Sequence, residues 1–345
     1  MVKSSSAAGA KVTIYDIAKL AGVNASTVSR ALGNPGRVSD KTRKLVEHAA
    51  AELNFSINPL ARALPTGRTG MVGLIVADIT NPGYFDIIRG AQSAAAALGL
   101  TLVLAESSES GSTEVVVARR MQSSTDAIIL ATPRMSDPEI RALSGTKPVA
   151  VINRCVDGVD SVVPDVQPGI GEAVRHLASN GHQKIAFLSG SAQSWMSARR
   201  WDSFRSACDW TGREAQLIAT TAPTAEGGRL AARDVIASGA TAALCYNDLL
   251  AIGLMQELQA AKVNLPDEFS VVGFDNIFGS DFTTPALTTI ASPFKDCGAA
   301  ALGLLLAALP GAGLGPAPVR TVGPMDLRTT LVVRGSSGRL LTPAI

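Results

Sequence analysis

Residues 13–33 read TIYDIAKLAGVNASTVSRALG, and two short helices joined by a tight turn are legible in them. Thr13 is a residue type that N-caps helices, and Ile14, Ile17, Ala18 and Ala21 follow at the spacing of one apolar helical face. Gly22 ends that helix, because glycine reaches the left-handed backbone that closes a C-terminus. Asn24 then N-caps a second helix over Ala25–Leu32. Val23, Val28, Ala31 and Leu32 point inward, which leaves Ala25, Ser26, Ser29 and Arg30 outward. Ser39 N-caps a third helix from Asp40 to about Leu53, striped by Leu45, Val46, Ala49 and Leu53. Two short helices braced by a third predict an all-α helix-turn-helix head over residues 11–57, after a disordered tail at 1–10.

Charge supports that reading. Residues 1–70 hold ten Lys and Arg against four Asp and Glu, whereas the remaining chain holds 21 against 25. A basic head on a mildly acidic body is the electrostatic footprint of a nucleic-acid binder. Downstream, Asn58-Pro59 starts a helix too short to be stable alone, ending by Leu64 because Pro65 disfavours helical backbone before it. Residues 58–70 therefore read as a short helix and linker.

From Met71 short apolar runs alternate with amphipathic helices. The expected strands are Val72–Ala77, Thr101–Ala105, Ala127–Leu130, Val149–Ile152, Lys184–Ser189, Ala242–Tyr246 and Ser270–Gly273. Such alternation predicts parallel sheets with right-handed crossovers, and there are enough strands for two. Ligands of open α/β sheets bind beyond the C-terminal strand ends. The polar residues expected there are Asp78 with Tyr84, Thr132 with Arg134, Asn153 with Arg154, Ser197 with Arg200, Asn247-Asp248 and Asp275-Asn276. Asp, Asn and Arg around aromatics suit a small polyol, although each could equally cap a helix or satisfy a loop.

Composition narrows the remaining classes. A hydrophobic content of 46% with 17% charged residues allows large cores in two or three domains. Cys155, Cys208, Cys245 and Cys297 lie far apart without metal spacing, and His48, His176 and His182 read as structural. No metal and no cofactor are expected. The N-terminal MVKSSSAAGAK lacks an apolar signal run, and no stretch is long enough to span a bilayer, so a cytoplasmic protein with no membrane partner is expected.

The run VTIYDIAKLAGVNASTVSRALGNPGRVSDKTRKLVEHAAAELNFSINPLARAL resembles the head of LacI/GalR-type repressors over more than fifty residues. DITNPGYFDIIRGAQ, GHQKIAFLSG, SARRWDSF, ALCYNDLLAIGLMQEL and EFSVVGFDN look like landmarks of the same family's effector domains. The resemblance implies an N-terminal all-α helix-turn-helix head plus an α/β core of two Rossmann-like lobes, similar to periplasmic sugar-binding proteins. The lobes would be residues 71–165 with 294–325, and 166–293 with 326–345. It also implies a homodimeric repressor, not an enzyme, that binds pseudo-palindromic double-stranded operator DNA under control of a sugar-like effector. Ala25, Ser26 and Arg30 would face base edges, residues 58–70 would be a hinge helix and linker, and Leu64 would wedge into the minor groove. Thr13, Tyr15, Asn24, Thr27 and Ser29 would meet phosphates, and Arg37 backbone or base. Asn153, Arg200, Asn247 and Asp275 match effector contacts, with Phe294 near an aromatic one. Gly83, Ser203 and Pro223 depart from the usual residues and imply an altered pocket. A transport-type sugar-binding protein and a sugar-modifying enzyme are the competing classes. The basic head opposes the first, and no nucleophile–base set supports the second.

Overall fold

The computed structural model describes residues 12–33, 38–53, 55, 68–308, 321–322 and 327–341. The chain divides into two compact units between Thr69 and Gly70.

The first unit is the head, with α1 (Ile14–Ala21), α2 (Ala25–Gly33) and α3 (Asp40–Glu52). The Thr13 N–H and hydroxyl both donate to the Asp16 carboxylate, at 2.8 and 2.7 Å, fixing the start of α1. Gly22 takes φ 64°, and the Val23 N–H returns to the Ala18 carbonyl at 3.0 Å, so the chain turns at once into α2. The Ser39 hydroxyl accepts from the Thr42 N–H at the start of α3. Ile17, Ala18, Ala21, Val28, Ala31, Val46, Ala49 and Ala50 form the buried core. Two positions differ from expectation. Leu45 is half exposed and Ala50 takes the inward place, because positions 46, 49, 50 and 53 form the helical stripe. Ala25 packs half-buried against the core instead of facing fully outward.

In the second unit strands and helices alternate as expected. The chain runs β1 (Met71–Val76), α4 (Gly83–Ala96), β2 (Thr101–Glu106), α5 (Gly111–Gln122), β3 (Ala127–Ala131), α6 (Asp137–Ser144), β4 (Val149–Ile152) and β5 (Asp160–Val162). It continues through α7 (Gln167–Ser179), β6 (Lys184–Leu188), α8 (Trp195–Thr211), β7 (Glu214–Ile218), α9 (Ala225–Ala237), β8 (Ala242–Cys245) and α10 (Asp248–Ala260). Then come β9 (Ser270–Asp275), β10 (Thr288–Ala291), α11 (Phe294–Ala308), β11 (Thr321–Val322) and β12 (Thr330–Val332).

These strands form two six-stranded sheets, β11-β5-β4-β3-β1-β2 and β12-β10-β9-β8-β6-β7. One winding is used twice: β2 and β7 hold the same edge of their sheets, and β1 and β6 the same place beside it. All pairings are parallel except β10 with β12. Each sheet with its helices is a Rossmann-like lobe, and the chain passes between the sheets three times, after β5, after β10 and after β11. The strands foreseen from sequence are the apolar ones. The sequence pattern does not mark β5, β7, β10, β11 and β12: β5, β11 and β12 have two or three residues, β10 (TTIA) opens on two threonines, and β7 (EAQLI) is a half-exposed edge without a continuous apolar run.

α11 buries Phe294, Cys297, Ala301, Leu302 and Leu305 in the core of the first lobe. It lies directly on α4. A Cβ added at Gly90 would stand 1.9 Å from the Lys295 carbonyl oxygen, and one at Gly298 would stand 2.2 Å from that of Ile87. Two glycines facing the partner backbone let these helices touch main chain to main chain.

Candidate functional site

The winding places the turns after β1, β3, β6 and β8 at the C-terminal ends of the sheets, where such folds bind ligands. Backbone strain gathers there too. Ser108, Glu109, Thr132, Asn153, Asp275 and Asn276 all have φ between 52° and 103° without being glycine, and all lie at the ends of β2, β3, β4 and β9. Left-handed backbone at non-glycine residues persists only where the surroundings over-determine it.

Between the lobes lies a small void of about 30 Å³. Tyr84, Thr132 and Asn153 line it from the first lobe, Arg200, Tyr246 and Asp275 from the second, and Phe294 from the start of α11. A larger recess of about 280 Å³, walled by Phe85, Arg89, Phe278 and Arg334, shares Gly83, Asp275 and Phe294 with it.

Arg200 is the centre of the second-lobe wall. It projects from the second turn of α8, whose N-cap Ser194 is bonded to the Tyr246 hydroxyl at 3.1 Å. Its guanidinium lies 3.6 Å from the Phe274 ring centroid and 4.7 Å from that of Tyr246. Nη2 donates to Asp275 Oδ1 at 2.9 Å, Nη1 donates to the Tyr246 carbonyl, and Nε has no hydrogen-bond partner among the described residues. Both charged side chains are buried. Burial pushes the Asp275 carboxyl up to about 6 although Arg200 pulls it down.

The first-lobe wall carries a second paired guanidinium. Arg134 donates through Nε and Nη2 to Glu109 Oε2, at 2.7 Å each, and through Nη1 to the Thr132 carbonyl at 2.9 Å. Tyr84 lies beside this pair, and burial drives its phenol far above the usual range. Asn153 Nδ2 donates to Thr132 Oγ1 at 3.2 Å, while Asn153 Oδ1 has no partner. The void wall thus holds Arg200 matched by Asp275, with the Arg134–Glu109 pair beside Tyr84, and two polar atoms with unused hydrogen-bonding capacity, one a donor and one an acceptor.

Of the residues expected here, Tyr84, Asn153, Arg200, Asp275 and Phe294 meet around the void. Asp78 and Asn247 do not. Asp78 accepts from the Thr80 N–H and hydroxyl within its own turn. Asn247 N-caps α10, accepting from the Leu250 N–H at 2.9 Å and donating to the Pro223 carbonyl at 2.8 Å. Tyr246, Phe274 and Glu109 were not singled out. Position at a strand end marks Tyr246, but the left-handed turn that brings Glu109 back to Arg134 leaves no pattern in the sequence. His182 is buried between Thr241, Ser270 and the Gly338 carbonyl, a satisfied structural histidine. Among the described residues no group of His, Cys, Asp and Glu could hold a metal ion, and no helix is long and apolar enough to cross a membrane.

In the head, Ser26, Ser29 and Arg30 form the exposed face of α2. Arg30 folds back on its own helix, Nε on the Ser26 carbonyl at 3.0 Å and Nη2 on the Ser26 hydroxyl at 3.3 Å. Tyr15, Thr13 and Asn24 are exposed, and Thr27 is half-buried. Arg37, Leu64 and the rest of the expected hinge helix lie outside the described residues.

Family comparison agrees with both units. Residues 13–58 match the family described as bacterial regulatory proteins, lacI family. Residues 69–319 match periplasmic binding proteins and the sugar binding domain of the LacI family. The chain belongs to the LacI family. Among the relatives of this LacI-family chain is the HTH-type transcriptional regulator DegA of Bacillus subtilis, 35% identical over 84% of this chain and 89% of that protein. Another is the HTH-type transcriptional regulator GalR of Escherichia coli, 30% identical over 86% and 88%. A solved structure of the lac repressor dimer bound to operator and the anti-inducer ONPF is 26% identical. It covers 95% of this chain and all of that one, with a TM-score of 0.81. This LacI-family protein is a transcriptional regulator with a helix-turn-helix head and a periplasmic-binding-protein-like core.

Proposed function

We propose that the chain is a homodimeric repressor that binds a pseudo-palindromic operator and is controlled by a neutral, sugar-like effector held between its lobes. The observation that carries the effector reading is the pairing of charges in the cleft. Arg200 is paired with Asp275 and Arg134 with Glu109, so neither of these guanidiniums is free for a phosphate or carboxylate at the void, and Arg89 and Arg334 stand only in the adjoining recess. Arg200 Nε needs an acceptor and Asn153 Oδ1 needs a donor. A hydroxyl group is both, whereas a phosphate dianion only accepts. Tyr84, Tyr246 and Phe294 supply flat apolar walls for the C–H faces of a ring.

For DNA, the lac repressor dimer bound to operator supports a two-headed reading. Ser26 and Arg30 read bases with Ala25 at the edge, while Thr13, Tyr15, Asn24, Thr27, Ser29 and Arg37 hold phosphates, and Leu64 deforms the minor groove. The regulatory units are the head at 11–57, the hinge at 58–70, and lobes at 71–165 with 294–325 and 166–293 with 326–345. Effector binding changes the lobe arrangement and so the population able to hold operator. The chain carries no catalytic activity in this reading.

The test is a thermal-shift screen with neutral sugars, nucleosides and sugar phosphates, followed by operator release measured with each compound that binds. A neutral polyol raising the melting temperature supports the reading. Stabilisation by sugar phosphates alone overturns it.

A further inference from the structure

The Asp275 carboxylate faces Arg200 from a turn in backbone conformations that glycine adopts most readily. Asp275 takes φ 103° and Asn276 φ 55°, two consecutive left-handed non-glycine residues. Such a pair needs an external clamp, and the clamp is a buried carboxyl that plays no part in the site described above. Asp248, the first residue of α10, is fully buried. Its Oδ2 accepts from the Ile277 N–H at 2.8 Å, and its Oδ1 accepts from the Thr289 hydroxyl at 2.5 Å. Thr289 Oγ1 in turn accepts from the Asn276 N–H at 3.3 Å. Both amides that follow Asp275 therefore end, directly or through one hydroxyl, on Asp248. The strand beneath is shaped for it: a Cβ at Gly273, the β9 residue paired with Thr289, would lie 2.1 Å from Asp248 Oδ1.

We infer that Asp248 is a positioning residue of the effector cleft, acting with Thr289 to hold the Asp275–Ile277 turn and so to set the Asp275 carboxylate against Arg200. The inference rests on the effector reading for its purpose, but the geometry exists without a ligand and is testable without one. Asp248 touches no part of the void itself. It acts through the backbone of its neighbours, as outer groups orient inner ones in binding sites generally.

The experiment uses the full-length chain without effector. Protein labelled with ¹⁵N-arginine reports Arg200 through its Nε–H signal, assigned by its loss in Arg200→Lys. Amide exchange is followed at residues 275–277. Thr289→Val removes the hydroxyl at nearly constant volume, and Thr289→Ser keeps it. In Thr289→Val the Asn276 and Ile277 amides exchange at least tenfold faster and the Arg200 signal moves, while other amides of the second lobe keep their rates; Thr289→Ser restores both readings. Should Thr289→Val not fold, Asp248→Ala serves, because it removes the acceptors of both the Ile277 N–H and the Thr289 hydroxyl. An unmoved Arg200 signal, equal displacement in Thr289→Ser, or faster exchange spread over the whole lobe overturns the inference. A failed effector screen leaves these outcomes untouched, so the two readings fail separately.

Discussion

Arg200 Nη2 and Asp275 Oδ1 meet at 2.9 Å between α8 and the end of β9, with 3% and 7% of their side chains exposed. A charge pair this dry is poor evidence for stability, because desolvation offsets the attraction. Its consequence is asymmetry: the pair is tolerable intact and costly when halved.

Asp275→Ala leaves the Arg200 guanidinium buried without a counter-charge. The variant is expected to lose about 3–5 kcal/mol of stability, read as a lower melting temperature, and to lose the effector response. Operator binding by the head persists below the melting transition. A normal effector response in Asp275→Ala removes this residue from the site.

Arg30 is exposed on α2 and, among the described residues, is braced by Ser26 of the same helix, so Arg30→Ala leaves folding unchanged. Specific operator affinity falls by about 1–3 kcal/mol while binding to random DNA hardly changes. Gel-shift titrations against a selected operator and a scrambled duplex separate the two. Equal losses on both duplexes make Arg30 a phosphate contact instead.

Stability falls as pH rises from about 7 to about 8. Burial raises the Asp248 carboxyl to about 8 from an ordinary 3.8, so the folded state holds a proton that the unfolded state has released. Stability associated with that proton is present at low pH and is lost as pH rises towards the folded value. His176 and His182 are lowered by burial and act in the opposite sense, but below their unfolded value near 6.5. In the window above pH 7 they are neutral in both states. The melting temperature of the native chain should therefore fall relative to that of Asp248→Asn as pH rises across 6.5–8.5; parallel curves would show that Asp248 does not titrate there.

Gly298→Ala and Gly90→Ala each place a methyl group against the opposing backbone of the α4–α11 contact. Each is expected to cost about 1–3 kcal/mol or more through overpacking, measured by denaturant midpoint. Gly303→Ala, on the same helix with nothing within 4 Å, is the control and should be neutral or slightly stabilising. Similar losses at positions 298 and 303 would argue against close helix packing as the cause.

The head was legible in the residues because its determinants are local. Thr13, Gly22 and Ser39 act within four residues of themselves, and the apolar spacing of Ile17, Ala18 and Ala21 states which face is inside. The buried strands were legible for a related reason: β1, β3 and β4 are enclosed on both faces and read as unbroken apolar runs. Edge strands β7 and β12 lack that enclosure, and their pairing comes from neighbours distant in sequence. The cleft residues divide the same way. Tyr84, Asn153, Arg200 and Asp275 follow strands or match a family pattern, whereas Asn247 matched the pattern and uses its amide oxygen to cap α10 and its amide nitrogen on the Pro223 carbonyl.

By itself the sequence determined a helix-turn-helix, an alternating α/β core and the residues offered at its loop ends, because caps, periodicity and apolar runs act over a few positions. Only the tertiary structure decided which of those residues meet. Arg200 and Asp275 are 75 positions apart, and the Asp248–Thr289 bond spans 41. Their meeting depends on parallel strands that bring distant loops to one end of a sheet, and on the left-handed turns that aim the side chains inward once there.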